Sequence, residues 1–512
     1  MTGQKARQTF LTVLFTGALF LLVSSAVSLA APAVERPNII FFLVDDMGLM
    51  DTSVPMLTDE QGNPKRYPLN NWYRTPNVEK LAKKGIRFSN FYAQSVCSPS
   101  RCAILTGQNS ARHGTTTWTN PTTNNRGKFG PPKWNWSGLG KNTLTLPRLL
   151  QRDGYRTIHV GKAHFGPKDH EGANPLNLGF DRNIGGTYTG RPATYYGEKN
   201  YGEGDLRAIP DLEEYHGTET YLTEALTREA NKEIMAAVKQ QKPFFLNMCH
   251  YAVHGPFNSD PRFAQHYKNS DQSKQAQAYA TMIEGVDKSL GDIITNLIQL
   301  GVADQTLIIF FGDNGSDAPL GDAHGYSSSA PLLGKKGTHH EGGIRVPFIC
   351  AWAQPNPDSF WQQRLSIASG QIQSQIGTIT DLFPTICTLT GAKIPEHYPV
   401  DGFDLQMQLD GKYNSNRSNT FLNHFPHPHR SSYYTLFIKD DWKVVYHYPI
   451  KNEPRYELYN LKEDPCEKHN LANNNPERLE AMIQAMKEDL QSEGALYAEK
   501  DGEELKPEAP QK

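Results

Sequence analysis

The chain has 512 residues, with 52 Lys plus Arg against 54 Asp plus Glu and a formal net charge of -2. That length fits one large core with a smaller companion rather than a string of small modules. The balance of charge excludes a global field that would recruit nucleic acid or a membrane surface, so an anionic ligand must be held locally.

At the N-terminus, Lys5 and Arg7 precede an apolar stretch from Phe10 to Val27, and Ser28-Leu29-Ala30 offers small residues at cleavage spacing. The order predicts a signal peptide over 1–30 and export to a periplasmic, secreted or lysosome-like compartment, with no stable membrane insertion. A retained anchor is the alternative, because the run is nearly long enough to span a bilayer. Six scattered cysteines do not make a stapled disulfide framework even in an exported chain.

From Asn38 to about Gly391, short apolar runs alternate with longer helical segments, which predicts an α/β fold: a large, mostly parallel or mixed sheet between helices, in a catalytic domain over 36–400. Four runs read as buried strands: Asn38 to Val44, Arg156 to Val160, Pro243 to Met248 and Thr306 to Phe311. Each ends in polar residues: Asp45-Asp46, Gly161-Lys162-Ala163-His164, His250 with His254, and Asp313-Asn314. One such ending is an ordinary turn. Four of them at the carboxyl edge of one sheet make a ligand site.

Beyond Asp401 the pattern changes to aromatic strands at Tyr433 to Phe437, Trp442 to Tyr448 and Tyr456 to Tyr459, then a helical segment from Pro476 to about Gln491. A small antiparallel sheet with one helix is expected over 401–498. The Glu-, Lys- and Pro-rich tail 499–512 is expected to be disordered.

The sharpest local feature is Cys97-Ser98-Pro99-Ser100-Arg101, continuing to Leu105-Thr106-Gly107. Pro99 suits the first turn of a helix, which sets Cys97 at the positive end of the helix dipole, a place for an anion. A helix start that merely contains a thiol is the bland alternative.

Cys-x-Pro-Ser-Arg followed by Leu-Thr-Gly resembles the signature of the type I, formylglycine-dependent sulfatases, of the alkaline-phosphatase-like superfamily. Thr75-Pro76-Asn77 and the segment from Gly85 to Tyr92 are similar to the lead-in of that family. The resemblance implies that Cys97 is oxidised to formylglycine by a maturation enzyme. It also implies that Asp45, Asp46, Asp313 and Asn314 ligate a metal together with the oxygen of residue 97. Three carboxylates and an amide oxygen are the hard-oxygen set that calcium prefers, with magnesium the second choice. Gly161-Lys162-Ala163-His164 resembles the family's Gly-Lys-x-His element, with Ala163 where relatives often carry Trp. His254-Gly255-Pro256 resembles its His-x-Pro element. The segment Gly334 to Pro347 resembles its Gly-Lys-Gly and Glu-Gly-Gly-x-Arg-Val-Pro elements, selecting Lys336 over Lys335.

The implied chemistry is hydrolysis of a sulfate ester, with Arg101, Lys162 and Lys336 neutralising the sulfate. His254 protonates the leaving oxygen, and His164 serves as base when the modified residue expels sulfate. A phosphatase, phosphodiesterase or phosphonate hydrolase of the same fold is the alternative, and a non-catalytic glycan-binding protein a more distant one. The insertion Thr115 to Gly140, with Trp118, Trp134 and Trp136, and the loop His424 to Arg430 suit a sugar platform, with Trp136, His427 and Arg430 as substrate-binding candidates. Anchoring of long loops is the competing use of those side chains. A sulfated carbohydrate is the expected substrate, with no nucleic acid partner.

Overall fold

The strand Asn38–Val44 (β1) sets the architecture. It is buried along its whole length, and its side chains alternate between two cores: Ile40, Phe42 and Val44 enter one, Ile39, Phe41 and Leu43 the other. A strand apolar on both faces must be covered on both. In the computed structural model, which describes residues 36–321, 328–450 and 454–509, helices Leu222–Lys239 and Lys274–Gln299 cover the first face. Helices Cys97–Thr106, Leu146–Arg152 and Leu382–Thr390 cover the second.

The other strands of the large sheet are β2 (Ile86–Phe88), β3 (Arg156–Gly161), β4 (Arg182–Ile184), β5 (Phe244–His250), β6 (Thr306–Gly312), β7 (Phe348–Trp352) and β8 (Ile372–Gln373). Their order is β4-β3-β5-β1-β6-β7-β2-β8. Strands β3, β5, β1 and β6 are parallel and in step, with Gly161 opposite Cys249, and Val44 opposite both His250 and Gly312. All four strands therefore release their following residues at one edge, the geometry that makes ligand crevices in α/β sheets. Strand β7 runs antiparallel to β6, so the sheet is mixed.

A four-stranded antiparallel meander follows: Thr420–Phe425, Tyr434–Lys439, Trp442–His447 and Tyr456–Asn460. Helix Pro476–Glu493 covers one face through Met482, Ile483, Met486 and Leu490. The other face, with Phe421, Tyr434 and Leu436, closes over Tyr92, Val96 and Ile344, residues that flank the motif segments of the large sheet. Lys443, fully buried, fixes this junction with its ammonium 3.1 Å from Glu341 and 2.7 Å from Glu467. A buried cation needs such carboxylates to persist.

Residues 499–509 depart from the expected disorder. Glu499–Lys500 pairs with Glu503–Glu504, and the Tyr446 hydroxyl donates to the carbonyls of Leu505 and Lys506 at 3.3 and 3.2 Å. Ala498 and Leu505 join the apolar cluster under the helix, two anchors that a Glu-, Lys- and Pro-rich composition conceals. The expected signal peptide lies outside the described residues. No helix among the described residues is long and apolar enough to cross a membrane.

Candidate active site

At the end of β1, Asp45 and Asp46 turn inward, both fully buried. Asp46 adopts φ 60°, a left-handed conformation that Asp tolerates, and its N–H donates to Asp313 Oδ1 at 3.0 Å, joining the ends of β1 and β6. Asn314 follows, its amide donating to Asp46 Oδ1 at 2.9 Å. At the end of β3, Gly161 takes φ 94° where a Cβ would meet the Cys249 carbonyl oxygen at 2.0 Å. Only glycine fits there, and the turn sends Lys162 and His164 into the site. Helix Cys97–Thr106, every residue of it buried, begins with Cys97. The Cys97 thiol lies within 4.8 Å of carboxylate oxygens of both Asp45 and Asp313.

Three cations answer three carboxylates. Lys162 Nζ lies 2.7 and 2.8 Å from the two oxygens of Asp45. Lys336 Nζ lies 2.6 Å from Asp46 Oδ1. Arg101 donates to Asp313 Oδ2 through Nε at 2.9 Å, with Nη2 also 2.9 Å away, and gives Nη1 to the Lys162 carbonyl at 2.7 Å. Burial works against every charge here, and the pairing decides which survive. Lys336, with His254 and Lys162, holds Asp46 below the usual carboxylate range, and Arg101 and Lys162 do the same for Asp313. Burial pushes Asp45 up in spite of Lys162.

The donor set fits a hard divalent cation. Asp45, Asp46 and Asp313 converge, and the buried Asn314 Oδ1 has no hydrogen-bond partner among the described residues while its own amide nitrogen is engaged. An orphaned buried acceptor beside three carboxylates is what an oxygen-ligated ion would satisfy.

Two imidazoles flank the cluster in defined tautomers. His164 Nε2 lies 2.9 Å from the Thr119 carbonyl, which can only accept, so Nε2 carries the hydrogen and Nδ1 keeps its lone pair. Among the described residues Nδ1 has no partner. By the same reasoning His254 donates Nδ1–H to the Gly255 carbonyl at 2.9 Å and leaves Nε2 3.6 Å from Asp46. Burial and the neighbouring lysines push His164 well below its ordinary pKa and His254 down to about 3.

A cavity of about 300 Å³ opens above Cys97, His164, His254 and Lys336. Trp118, Asn120, Arg191, Arg207, His429 and Arg430 are among the residues of its walls. The ten residues expected to act on the sulfate or hold the metal are thus brought to one place. Of the three expected substrate residues, only Arg430 reaches it. His427 is fully buried, with Nε2 2.7 Å from Thr116 Oγ1 and Nδ1 3.0 Å from the Arg126 carbonyl. Trp136 donates to the Asn120 carbonyl at 3.3 Å and packs on His170, and neither Trp136 nor His427 lines the cavity. Both tie down the long insertion, the competing use of such side chains in a loop of this length. Arg430 does line the cavity, yet its guanidinium is spread over Asp317 at 2.7 and 3.0 Å. Lys335 also goes to Asp317, at 3.2 Å, so of the two neighbouring lysines it is Lys336 that pairs with Asp46. Trp118 supplies the aromatic wall assigned to Trp136, and Arg191 and Arg207 come from a region with no motif at all.

The sulfatase family model matches residues 37–392, and the model described as N-sulphoglucosamine sulphohydrolase, C-terminal, matches residues 335–495. N-acetylgalactosamine-6-sulfatase of Mus musculus is 32% identical over 407 residues, 76% of this chain and 69% of that protein. The same enzyme of Canis lupus familiaris is 33% identical over 412 residues, again 76% and 69%. The crystal structure of Ps i-CgsB in complex with k-i-k-neocarrahexaose superposes with a TM-score of 0.69 at 25% identity, covering 89% of this chain and 93% of that one.

Proposed function

The chain belongs to the sulfatase family and is a sulfuric ester hydrolase, and from that premise we propose that it removes sulfate from a sulfated carbohydrate through a formylglycine made from Cys97, with one calcium ion. The observation that carries this reading is the placement of Cys97 at the first turn of a buried helix, against three carboxylates and three cations at the edge of the sheet. Relatives named N-acetylgalactosamine-6-sulfatase, and the neocarrahexaose on a neighbour of the same fold, support a carbohydrate ester.

Asp45, Asp46, Asp313, Asn314 and residue 97 would hold the ion. When bound, it supplies Lewis-acid neutralisation of a sulfate oxygen. Charge bookkeeping favours the assignment: three carboxylates and three cations cancel, so a divalent ion leaves the site with a surplus that suits a sulfate ester and the departing sulfate dianion.

The chain's own groups then divide the chemistry. Lys162, Lys336 and Arg101 orient the sulfate and neutralise its oxygens. One hydroxyl of hydrated residue 97 passes its proton to Asp313, and its oxygen bonds to sulfur as the bond from sulfur to the sugar oxygen breaks. His254 gives that leaving oxygen a proton from Nε2. A sulfate anion beside His254 favours the protonated imidazole, against the burial and the lysines that lower its pKa. His164 Nδ1, whose lone pair is free, takes the proton of the second hydroxyl. The carbon–oxygen bond to sulfate then breaks, sulfate leaves and the aldehyde returns. Water adds to the aldehyde and never has to attack sulfur.

Export through the N-terminal segment and modification of Cys97 by a maturation enzyme belong to the same proposal. Parallel assays with 4-nitrophenyl sulfate and 4-nitrophenyl phosphate test it. Sulfate-ester turnover should exceed phosphate-ester turnover by orders of magnitude, and a preference for phosphate would transfer the fold to the phosphatase reading.

A further inference from the structure

We propose that Arg191 and Arg207 form a second anion subsite beside the scissile sulfate, so that the preferred substrate carries another anionic group, a sulfate or a carboxylate, next to the ester that is cut. This rests on the sulfatase reading and narrows its substrate class to dianionic sugars.

Both arginines line the cavity that holds Cys97 and His254. Among the described residues neither guanidinium forms an ion pair or a side-chain hydrogen bond, whereas every cation of the floor has a carboxylate within 2.9 Å. The other arginine of the wall, Arg430, is neutralised by Asp317. Asp205, the acid that acts most directly on Arg191, accepts the Arg207 backbone N–H at 2.8 Å.

The pair is built rather than loose. The Ala193 N–H donates to the Arg207 carbonyl at 3.0 Å, and the Tyr188 hydroxyl donates to the Leu206 carbonyl at 3.0 Å, so two loops are bound side by side with their arginines adjacent. Gly190 rests on the His164 ring, where a Cβ would come within 2.8 Å of Cε1, which fixes the first loop to the base of the reaction. Burial, with Arg207 second, lowers the Arg191 pKa. Like charges held together this way repel, and an anion between them removes the repulsion and accepts charge-assisted bonds from both.

The sulfate ester itself makes no demand on these arginines, because Lys162, Lys336 and Arg101 already surround it. Two further unpaired cations in the same cavity exceed what one sulfate requires. A carboxylate and a second sulfate share the chemistry that two guanidiniums recognise, and the probes below separate them.

The test is inhibition of 4-nitrophenyl sulfate hydrolysis by N-acetylgalactosamine 6-sulfate, its 4,6-disulfate, and a uronate-linked disaccharide of the 6-sulfate, with calorimetric binding of the same three. Wild type should hold at least one dianion about tenfold or more tighter than the monoanion. The double variant R191Q/R207Q should lose that preference while inhibition by inorganic sulfate stays within about twofold, which reports an intact floor. A preference for the disulfate alone assigns a second sulfate, and for the disaccharide alone a carboxylate. Equal affinity for all three in wild type, or a preference that survives R191Q/R207Q, overturns the subsite. Absence of any sulfate-ester turnover would instead overturn the sulfatase reading, and calorimetry would still read the arginine pair.

Discussion

The floor and the wall of the cavity are built by opposite means. The floor is made of residues that leave four parallel strands and one helix start, joined by Lys336 from a loop, and its charged groups are buried and paired within about one hydrogen-bond length. The wall is made of loops from four distant segments, and Arg191 stands exposed while Trp118 and Arg207 are half-buried. Strand ends fix the floor to the core, so its geometry is common to the reaction class. Loops carry the wall and touch the floor at a few points, such as the Thr119 carbonyl on His164 and Gly190 over its ring, so side chains that project from those loops can change with the substrate while the floor stays in place.

Substitutions can break or sharpen that contrast. The largest effect belongs to Asp313→Asn, which weakens the pairing of Arg101 and removes a ligand charge. Turnover of every sulfate ester should fall by about 10³-fold or more, with calcium binding lost and a lower melting temperature. Equal turnover in the variant would remove Asp313 from the floor. Next comes metal removal. A strong chelator should abolish activity and lower the melting temperature, and added calcium should restore both. Full activity and an unchanged melting temperature in metal-stripped protein would contradict the ligand set.

Trp118→Ala should act on the wall alone, raising KM for a sulfated oligosaccharide by about tenfold and that for 4-nitrophenyl sulfate by far less. Equal losses on both substrates would place Trp118 in the floor. His427→Ala should separate anchoring from recognition. Losing two buried hydrogen bonds and a ring packed 4.8 Å from Trp134 should cost about 2–4 kcal/mol of stability, with the same modest change of kcat/KM on large and small substrates. Selective loss of the oligosaccharide would return His427 to the substrate. Trp136→Ala should have the smallest effect, a fall of a few degrees in melting temperature with little change in specificity.

The same contrast explains what could be read from the sequence. Runs such as NIIFFLV have no polar face, so they belong in a doubly covered sheet, and the strand Asn38–Val44 has the bounds its composition implies. The floor was legible because a strand end holds its next residues in a fixed place, so Asp45-Asp46 and Asp313-Asn314 needed only parallel register to meet. The wall was not, because tryptophans in a loop look alike whether they face a sugar or the core. Trp118 and Trp136 differ only in what folds beneath them. Arg191 and Arg207 carry no local signal, since they meet only when the Ala193 N–H finds the Arg207 carbonyl. The strand Thr420–Phe425 was missed because its polar Asn423 and His424 hide the alternation, and both prove to be buried. The ordered tail depends on a few apolar anchors in a charged segment.

The central claim concerns residue 97, and the peptide between Arg87 and Arg101 isolates it. A thiolate at a helix N-terminus is itself a nucleophile, so loss of activity in Cys97→Ala fits either chemistry. Mass spectrometry of that peptide from active protein, combined with aldehyde-specific labelling, decides the matter. The account predicts an aldehyde in place of the thiol, with specific activity proportional to the modified fraction across expression hosts. Full activity in protein whose Cys97 remains an unmodified thiol would contradict it.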